Sequence, residues 1–161
     1  MRALSDPMRE ALDAYKALLE ATGPAGLAFL NARVPHRYTA VYRLDGAVLR
    51  NVHLFDKEGV VTPDFLETVP LHDSFCQFVM RDGGFTCDDT AGDRRLDGHK
   101  YQGVMGSYHG LPLLDNHGEL YGTLCHFDTE RHPLPDEEYA LLQKVARVLP
   151  AYLNKRPIPA A

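Results

Sequence analysis

The sequence predicts an α+β fold, a mostly antiparallel sheet with helices segregated to its faces. Three observations predict it. Residues 107–128 read SYHGLPLLDNHGELYGTLCHFD, with two apolar runs, Tyr108–Leu114 and Leu120–Phe127, joined by Asp115-Asn116-His117-Gly118-Glu119. Two β-favouring runs around a short Gly-containing connector make an antiparallel hairpin. Tyr38–Leu44 and Val48–Phe55 repeat the pattern around Asp45-Gly46, a strong two-residue turn signal. Apolar residues at helical spacing then occupy both ends of the chain, Leu4, Met8, Leu12, Tyr15 and Leu19 at one and Leu141, Leu142, Val145, Val148 and Leu149 at the other. Hairpins bracketed by terminal helices point to an α+β arrangement.

The totals fit one domain over residues 1–161. The chain has 161 residues and is 45% hydrophobic, enough to bury roughly two-thirds of its unfolded surface without disulfide or metal staples. A net charge of −5 with no basic run argues against nucleic acid and against an anionic membrane surface as partners. No apolar run approaches a spanning helix, and the N-terminus MRALSDPMREALDAYKALLEA alternates charge with apolar residues, unlike a signal peptide. Three cysteines without regular spacing suit a reducing compartment; a cytoplasmic protein is expected.

In order, residues 5–22 read as an amphipathic helix ended by Gly23-Pro24. This helix lies on the sheet or pairs with a partner subunit. The domain body follows over 25–153. Ala25–Arg33 suggests a short helix stopped by Pro35. After the first hairpin, Asp56–Thr62 reads as a loop and Pro63–Val69 as a helical turn. His72–Arg81 reads as a helix with Phe75, Phe78 and Val79 on one face, terminated at Asp82-Gly83-Gly84. Phe85-Thr86-Cys87 is a short strand. Asp88–Gly106, rich in Gly and charge, is a long irregular stretch, which in a compact domain is read as functional. In the second hairpin Pro112 cannot donate to a ladder, so its strand is at an edge or bulged. The closing helix begins at Asp136, with Asp136, Glu137 and Glu138 at its dipole-positive end, and Pro150 kinks or stops it. Residues 156–161 read as a frayed tail.

No catalytic motif announces itself. There is no Gly-x-Ser-x-Gly elbow, phosphate loop, dinucleotide fingerprint or His-Glu-x-x-His. His72, His99, His109 and His126 with Cys76, Cys87 and Cys125 have no metal-ligand spacing. His109 and His126, on paired strands, have the placement to face each other. No metal is assigned.

The central hairpin carries a resemblance. Tyr108-His109-Gly110-Leu111-Pro112-Leu113, then Asp115 to Gly118, then Leu120-Tyr121-Gly122-Thr123-Leu124-Cys125-His126-Phe127-Asp128 resembles the terminal hairpin of a GAF domain. Ser74-Phe75-Cys76-Gln77 before a helix, Asp88-Asp89 opening a loop, and Pro135-Asp136-Glu137-Glu138 before an apolar helix resemble the family in the same order. The resemblance covers roughly residues 20–153. It implies a GAF-like (PAS-like) antiparallel sheet with the terminal helices on one face and a helix plus long loop roofing a pocket on the other. One branch of the family reduces free methionine-R-sulfoxide with a cysteine in the loop before the Pro-containing strand, but Gly103–Ser107 contain none. Another branch carries a linear tetrapyrrole on a Cys that precedes a His. Cys125-His126 has those letters but lies inside the last strand.

The resemblance implies a stand-alone small-molecule-binding sensory module acting through a partner. Its candidate ligand-binding residues are Phe75 and Phe78 on the roof helix, Asp89, Arg94, His99 and Tyr101 in the loop, and Tyr108, His109, Thr123 and Cys125 on the hairpin. Because strand side chains alternate, Tyr108 and His109 cannot both point inward; Thr123 and Cys125 are expected to face the pocket and Leu124 the helices. The ligand and cofactor stay unidentified. A homodimer through Met8–Leu19 and Leu141–Leu149 and a separate output protein are the expected partners. The alternatives are a redox enzyme of the methionine-R-sulfoxide type and a ligand-free interaction module.

Overall fold

The computed structural model describes residues 3–22, 26–59 and 67–153. The expected loop at 60–62, most of the helical turn at 63–69 and the tail at 156–161 lie outside the described residues.

Six antiparallel strands form one sheet in the order β3-β2-β1-β6-β5-β4. The strands are β1 (Tyr38–Asp45), β2 (Val48–Asp56), β3 (Thr68–Pro70), β4 (Phe85–Cys87), β5 (Ser107–Leu114) and β6 (Leu120–Asp128). Among the described residues the α-helices with full bounds are α1 (Asp6–Thr22), α2 (Leu27–Asn31), α3 (Cys76–Asp82), α4 (Asp136–Val148) and α5 (Pro150–Leu153). Both expected hairpins form, and β6 pairs with β1 so that the second hairpin sits against the first. Pro112 is tolerated because β4 pairs with β5 only as far as Gly110, which leaves Pro112 at a local edge.

Alternation along the central strands sorts the core into two layers. Val41, Leu111, Leu113 and Leu124 face α1, α2, α4 and α5, where they bury Met8, Ala11, Tyr15, Leu19, Leu141, Leu142, Val145 and Leu149. The apolar stripes of the terminal helices are therefore the chain's own core. Tyr38, Ala40, Tyr42, Cys125 and Phe127 face the other way, against Phe75, Val79, Leu96 and Met105. Arg33, just past α2, clasps Glu138 of α4 through Nε and Nη2 at 3.1 and 2.8 Å, and Arg37 clasps Asp56 at 2.8 and 3.1 Å. Such forked pairs add geometric specificity as well as energy.

Two expectations are corrected. Of the helical turn expected over 63–69, Glu67 is helical but Thr68 and Val69 belong to β3, because Thr68–Pro70 pairs with Val48–Arg50 at the sheet edge. The helix expected from His72 begins at Cys76. Leu71–Asp73 form a 3₁₀ turn, and Ser74 is extended (φ −100°, ψ 157°) with its hydroxyl donating to the Leu71 carbonyl at 2.7 Å. Gly83 ends α3 at φ 75°, as a left-handed helix stop requires. No helix among the described residues is long and apolar enough to cross a membrane.

Candidate functional site

The roofed face of the sheet holds a cavity of about 60 Å³. Its floor is Tyr42, Leu49, Tyr108 and Phe127, and its roof is Phe75 and Cys76 at the start of α3 with Tyr101 and Met105 from the long loop. The loop is shaped by Thr90, which is fully buried. Its hydroxyl donates to the Met105 carbonyl and accepts from the Gly103 N–H at 2.9 Å. The Gly106 N–H donates to the Asp128 carbonyl at 2.8 Å and sews the loop's end to β6.

None of the described lining residues carries a charge at neutral pH. Burial pushes the Tyr42 and Tyr108 hydroxyls and the Cys76 thiol upward, so they stay protonated. Cys76 Sγ meets the Tyr108 hydroxyl at 3.2 Å and the Thr123 hydroxyl at 3.3 Å. Aromatic walls with a few hydroxyl and thiol groups suit an uncharged small molecule. The space is smaller than the roughly 150 Å³ that admits benzene, so a larger ligand extends out of it or displaces the roof.

The structure brings three of the expected site residues, Phe75, Tyr101 and Tyr108, to the cavity wall. Thr123 and Cys125 lie on the same sheet face, fully buried beneath it; the Cys125 thiol donates to the Ala40 carbonyl at 3.7 Å. His99 backs the roof, its ring 4.5 Å from Phe75 and its Nε2 donating to the Ser74 carbonyl at 3.3 Å. Phe78 packs outside the cavity on Phe85, with 5.2 Å between ring centroids. Asp89 lies 3.6 Å from Arg131, and Arg94 lines a shallow surface depression with Asp88 and Asp93. His109 is the clear correction: it stands on the helix face of the sheet, because alternation that points Tyr108 into the cavity points its neighbour away. Tyr42, Leu49, Val69, Ser74, Cys76, Met105 and Phe127 were not anticipated at the cavity. The alternation of Tyr38, Ala40 and Tyr42 held the signal for Tyr42.

On that helix face the histidines gather. His109 pairs with His126 across β5 and β6. His36 and His132, from segments outside the strands, pack beside them, and the His36 ring centroid lies 4.9 Å from His109, 6.1 Å from His126 and 5.3 Å from His132. The Nε2 atoms of His36 and His109 both donate to the His132 carbonyl at 3.2 Å. His126 Nδ1 is 2.6 Å from the Thr39 hydroxyl. The Nδ1 atoms of His36 and His109 are buried without a hydrogen-bond partner.

The thiols are poorly placed for nucleophilic chemistry. All three cysteines are free and buried. Burial, reinforced by Asp93, pushes the Cys87 thiol up to about 12, and burial raises Cys125 as well. A protonated thiol is neither nucleophile nor metal ligand.

The GAF domain family matches residues 17–150. Among solved structures, the chain is similar to the GAF domain from Acinetobacter phosphoenolpyruvate-protein phosphotransferase, with a TM-score of 0.73 at 10% identity, covering 93% of this chain and 94% of that one. It is similar to the free methionine-R-sulfoxide reductase from Neisseria meningitidis in complex with its substrate (TM-score 0.69, 18% identity, 94% and 95% covered). A phycoerythrobilin-bound GAF domain from a cyanobacterial phytochrome is also similar (TM-score 0.69, 15% identity, 94% and 96% covered). At these identities the likeness shows the fold alone. No curated protein matches the chain in sequence.

Proposed function

The chain belongs to the GAF domain family, and on that premise we propose that it is a regulatory module that binds a small uncharged molecule between the sheet and its roof and acts through another chain. The observation that carries this reading is the cavity itself: an aromatic wall without a charged lining residue, closed by Tyr101 and Met105 from a loop pinned at Thr90. Ligand binding shifts a population between open and closed roofs, and it does so only to the extent that the ligand prefers one of them. The terminal helices pack on the opposite face of the same central strands, so a change in β5 or β6 reaches them directly. A homodimer or output partner would dock on the outer faces of these helices, since their apolar stripes are already used inside.

Native mass spectrometry of protein purified from its source cells tests this reading. One small molecule per chain is expected in the wild type and none in Val69→Phe, which fills the cavity. An adduct retained in the filled variant, or a bare chain in both, counts against it.

A thiol-dependent reductase is the second reading, favoured by the Neisseria meningitidis neighbour and by the presence of Cys76 in the wall. The raised thiols and the uncharged wall weigh against it, since a zwitterionic amino-acid derivative calls for charged partners. Turnover of methionine-R-sulfoxide that is lost in Cys76→Ser would favour it over the regulatory reading.

A further inference from the structure

Leu96 and Met105 are 1% and 6% exposed, yet none of residues 97–104 between them is buried. Tyr101, in the middle of this stretch, nevertheless supplies part of the cavity wall. We propose that residues 98–103 are a flap that opens to admit the ligand, hinged at Gly98 and Gly103 and latched by His99. As a gate it rests on the cavity's taking a ligand, as proposed above. Gly98 and Gly103 hold φ at 83° and 75°, left-handed backbone that glycine adopts and leaves at little cost. A few such positions absorb the backbone rotation when a loop closes or opens. Between them the chain is bonded largely to itself and can move as one body. The Gln102 N–H donates to the His99 carbonyl at 3.1 Å, the Tyr101 N–H to His99 Nδ1 at 3.0 Å, and the Gly98 N–H to Gln102 Oε1 at 3.3 Å.

His99 Nδ1 accepts from the Tyr101 N–H, so the neutral ring carries its proton on Nε2, which donates to the Ser74 carbonyl at 3.3 Å. The same ring lies 4.5 Å from Phe75 and 5.8 Å from Phe78. One side chain thus binds the flap to the start of the roof helix α3. Lys100 Nζ lies 3.6 Å from Asp73, but the lysine is exposed and such a pair contributes little. Outside the hinges the chain is fixed. Thr90 is bonded to the Met105 carbonyl and the Gly103 N–H, and the Gly106 N–H to β6. A segment with no buried side chain between anchored ends opens at a lower free energy than the whole fold. Opening takes Tyr101 off the wall and gives solvent access to Cys76, which lines the same cavity, while the sheet and α3 stay in place.

Iodoacetamide labelling of Cys76 in the full chain, read cysteine by cysteine by peptide mass, tests the flap without any ligand. His99→Ala, which removes the hydrogen bond and the ring contact together, is expected to label Cys76 about 10-fold faster than wild type. Gly98→Ala is expected to do the same by a different route. A Cβ there meets no atom within 4 Å, so the alanine strains only the closed hinge, through its left-handed φ. Cys87 and Cys125 are expected to keep the wild-type rate in both variants, and circular dichroism confirms that both are folded. Unchanged Cys76 labelling in either folded variant overturns the flap. So does a rise at all three cysteines together, which is general loosening of the fold. No ligand takes part, so failure here leaves the cavity reading standing; that reading is judged separately by the adduct mass of wild type against Val69→Phe.

Discussion

Cys76 Sγ lies 3.2 Å from the Tyr108 hydroxyl, so the first turn of the roof helix α3 is bonded to the strand β5 that floors the cavity. Tyr108 is 5% exposed and its hydroxyl is held protonated by burial. Tyr108→Phe removes that bond while keeping the ring's contact with Phe75, 5.4 Å between centroids. A loss of about 0.5–1.5 kcal/mol is expected in urea unfolding. Tyr108→Ala, which also empties the floor, is expected to cost about 3–5 kcal/mol. Equal losses in the two variants would mean that the hydroxyl contact dominates and the ring packs poorly.

The thiols are expected to be inert in the folded chain. With Cys87 pushed up to about 12 and Cys76 and Cys125 also raised, little thiolate exists at pH 8. Iodoacetamide is expected to label none of the three until denaturant is added, and all three afterwards, read by intact mass. Fast native labelling of Cys76 would move weight to the reductase reading.

Acid is expected to weaken the folded chain through its histidines. Burial, and next the neighbouring His109, pushes His36 down to about 4. Burial, then His36 and His109, pushes His126 down to about 3, and burial lowers His109. Asp128 and Asp88 face the cluster and oppose this, while Lys57 adds to it. Below about pH 6.5 the unfolded chain takes up protons that the folded chain does not, so stability falls with pH. The stabilisation is full above pH 6.5 and declines as pH falls toward 4 and then 3. Urea midpoints at pH 7, 6, 5 and 4 check it, and a flat profile would contradict neutral buried imidazoles.

At Gly122, paired with Arg43, β6 has no room for a side chain against β1. A Cβ there would stand 1.8 Å from the Tyr42 carbonyl oxygen, so Gly122→Ala must push the central strands apart. A loss on the order of 4 kcal/mol or outright failure to fold is expected, measured by urea unfolding or soluble yield. Near-native stability would show that the strand pair has slack.

Much of this architecture is legible in the residues, for particular reasons. The two hairpins announce themselves through Asp45-Gly46 and Asp115–Gly118, and alternation correctly sends Thr123 and Cys125 to one face and Leu124 to the other. The start of the roof helix is not legible, because Ser74 satisfies its hydroxyl locally at Leu71 and stays extended. Nor is Tyr42's place in the wall, since a tyrosine in a strand reads as sheet bulk. For the histidines, pairing across a hairpin makes the meeting of His109 and His126 readable. His36 and His132 come from irregular segments with no periodicity, so only the folded chain reveals that they join them. Asp89, half-buried beside Arg131, and Arg94, exposed in a surface depression, share the composition of a ligand loop but lie outside the cavity, and composition does not encode direction.

Met105 provides the most direct test of the central claim, that the roofed cavity binds a small uncharged molecule. Its side chain lines the cavity, whereas Met8 is buried among the terminal helices. With methionine methyl groups labelled, the chain is titrated with the uncharged small-molecule fraction of an extract from its source cells. A saturable shift of the Met105 resonance, absent in Val69→Phe, is the predicted result. A Met105 resonance that no fraction moves, or one that moves equally in the filled variant, would contradict the account.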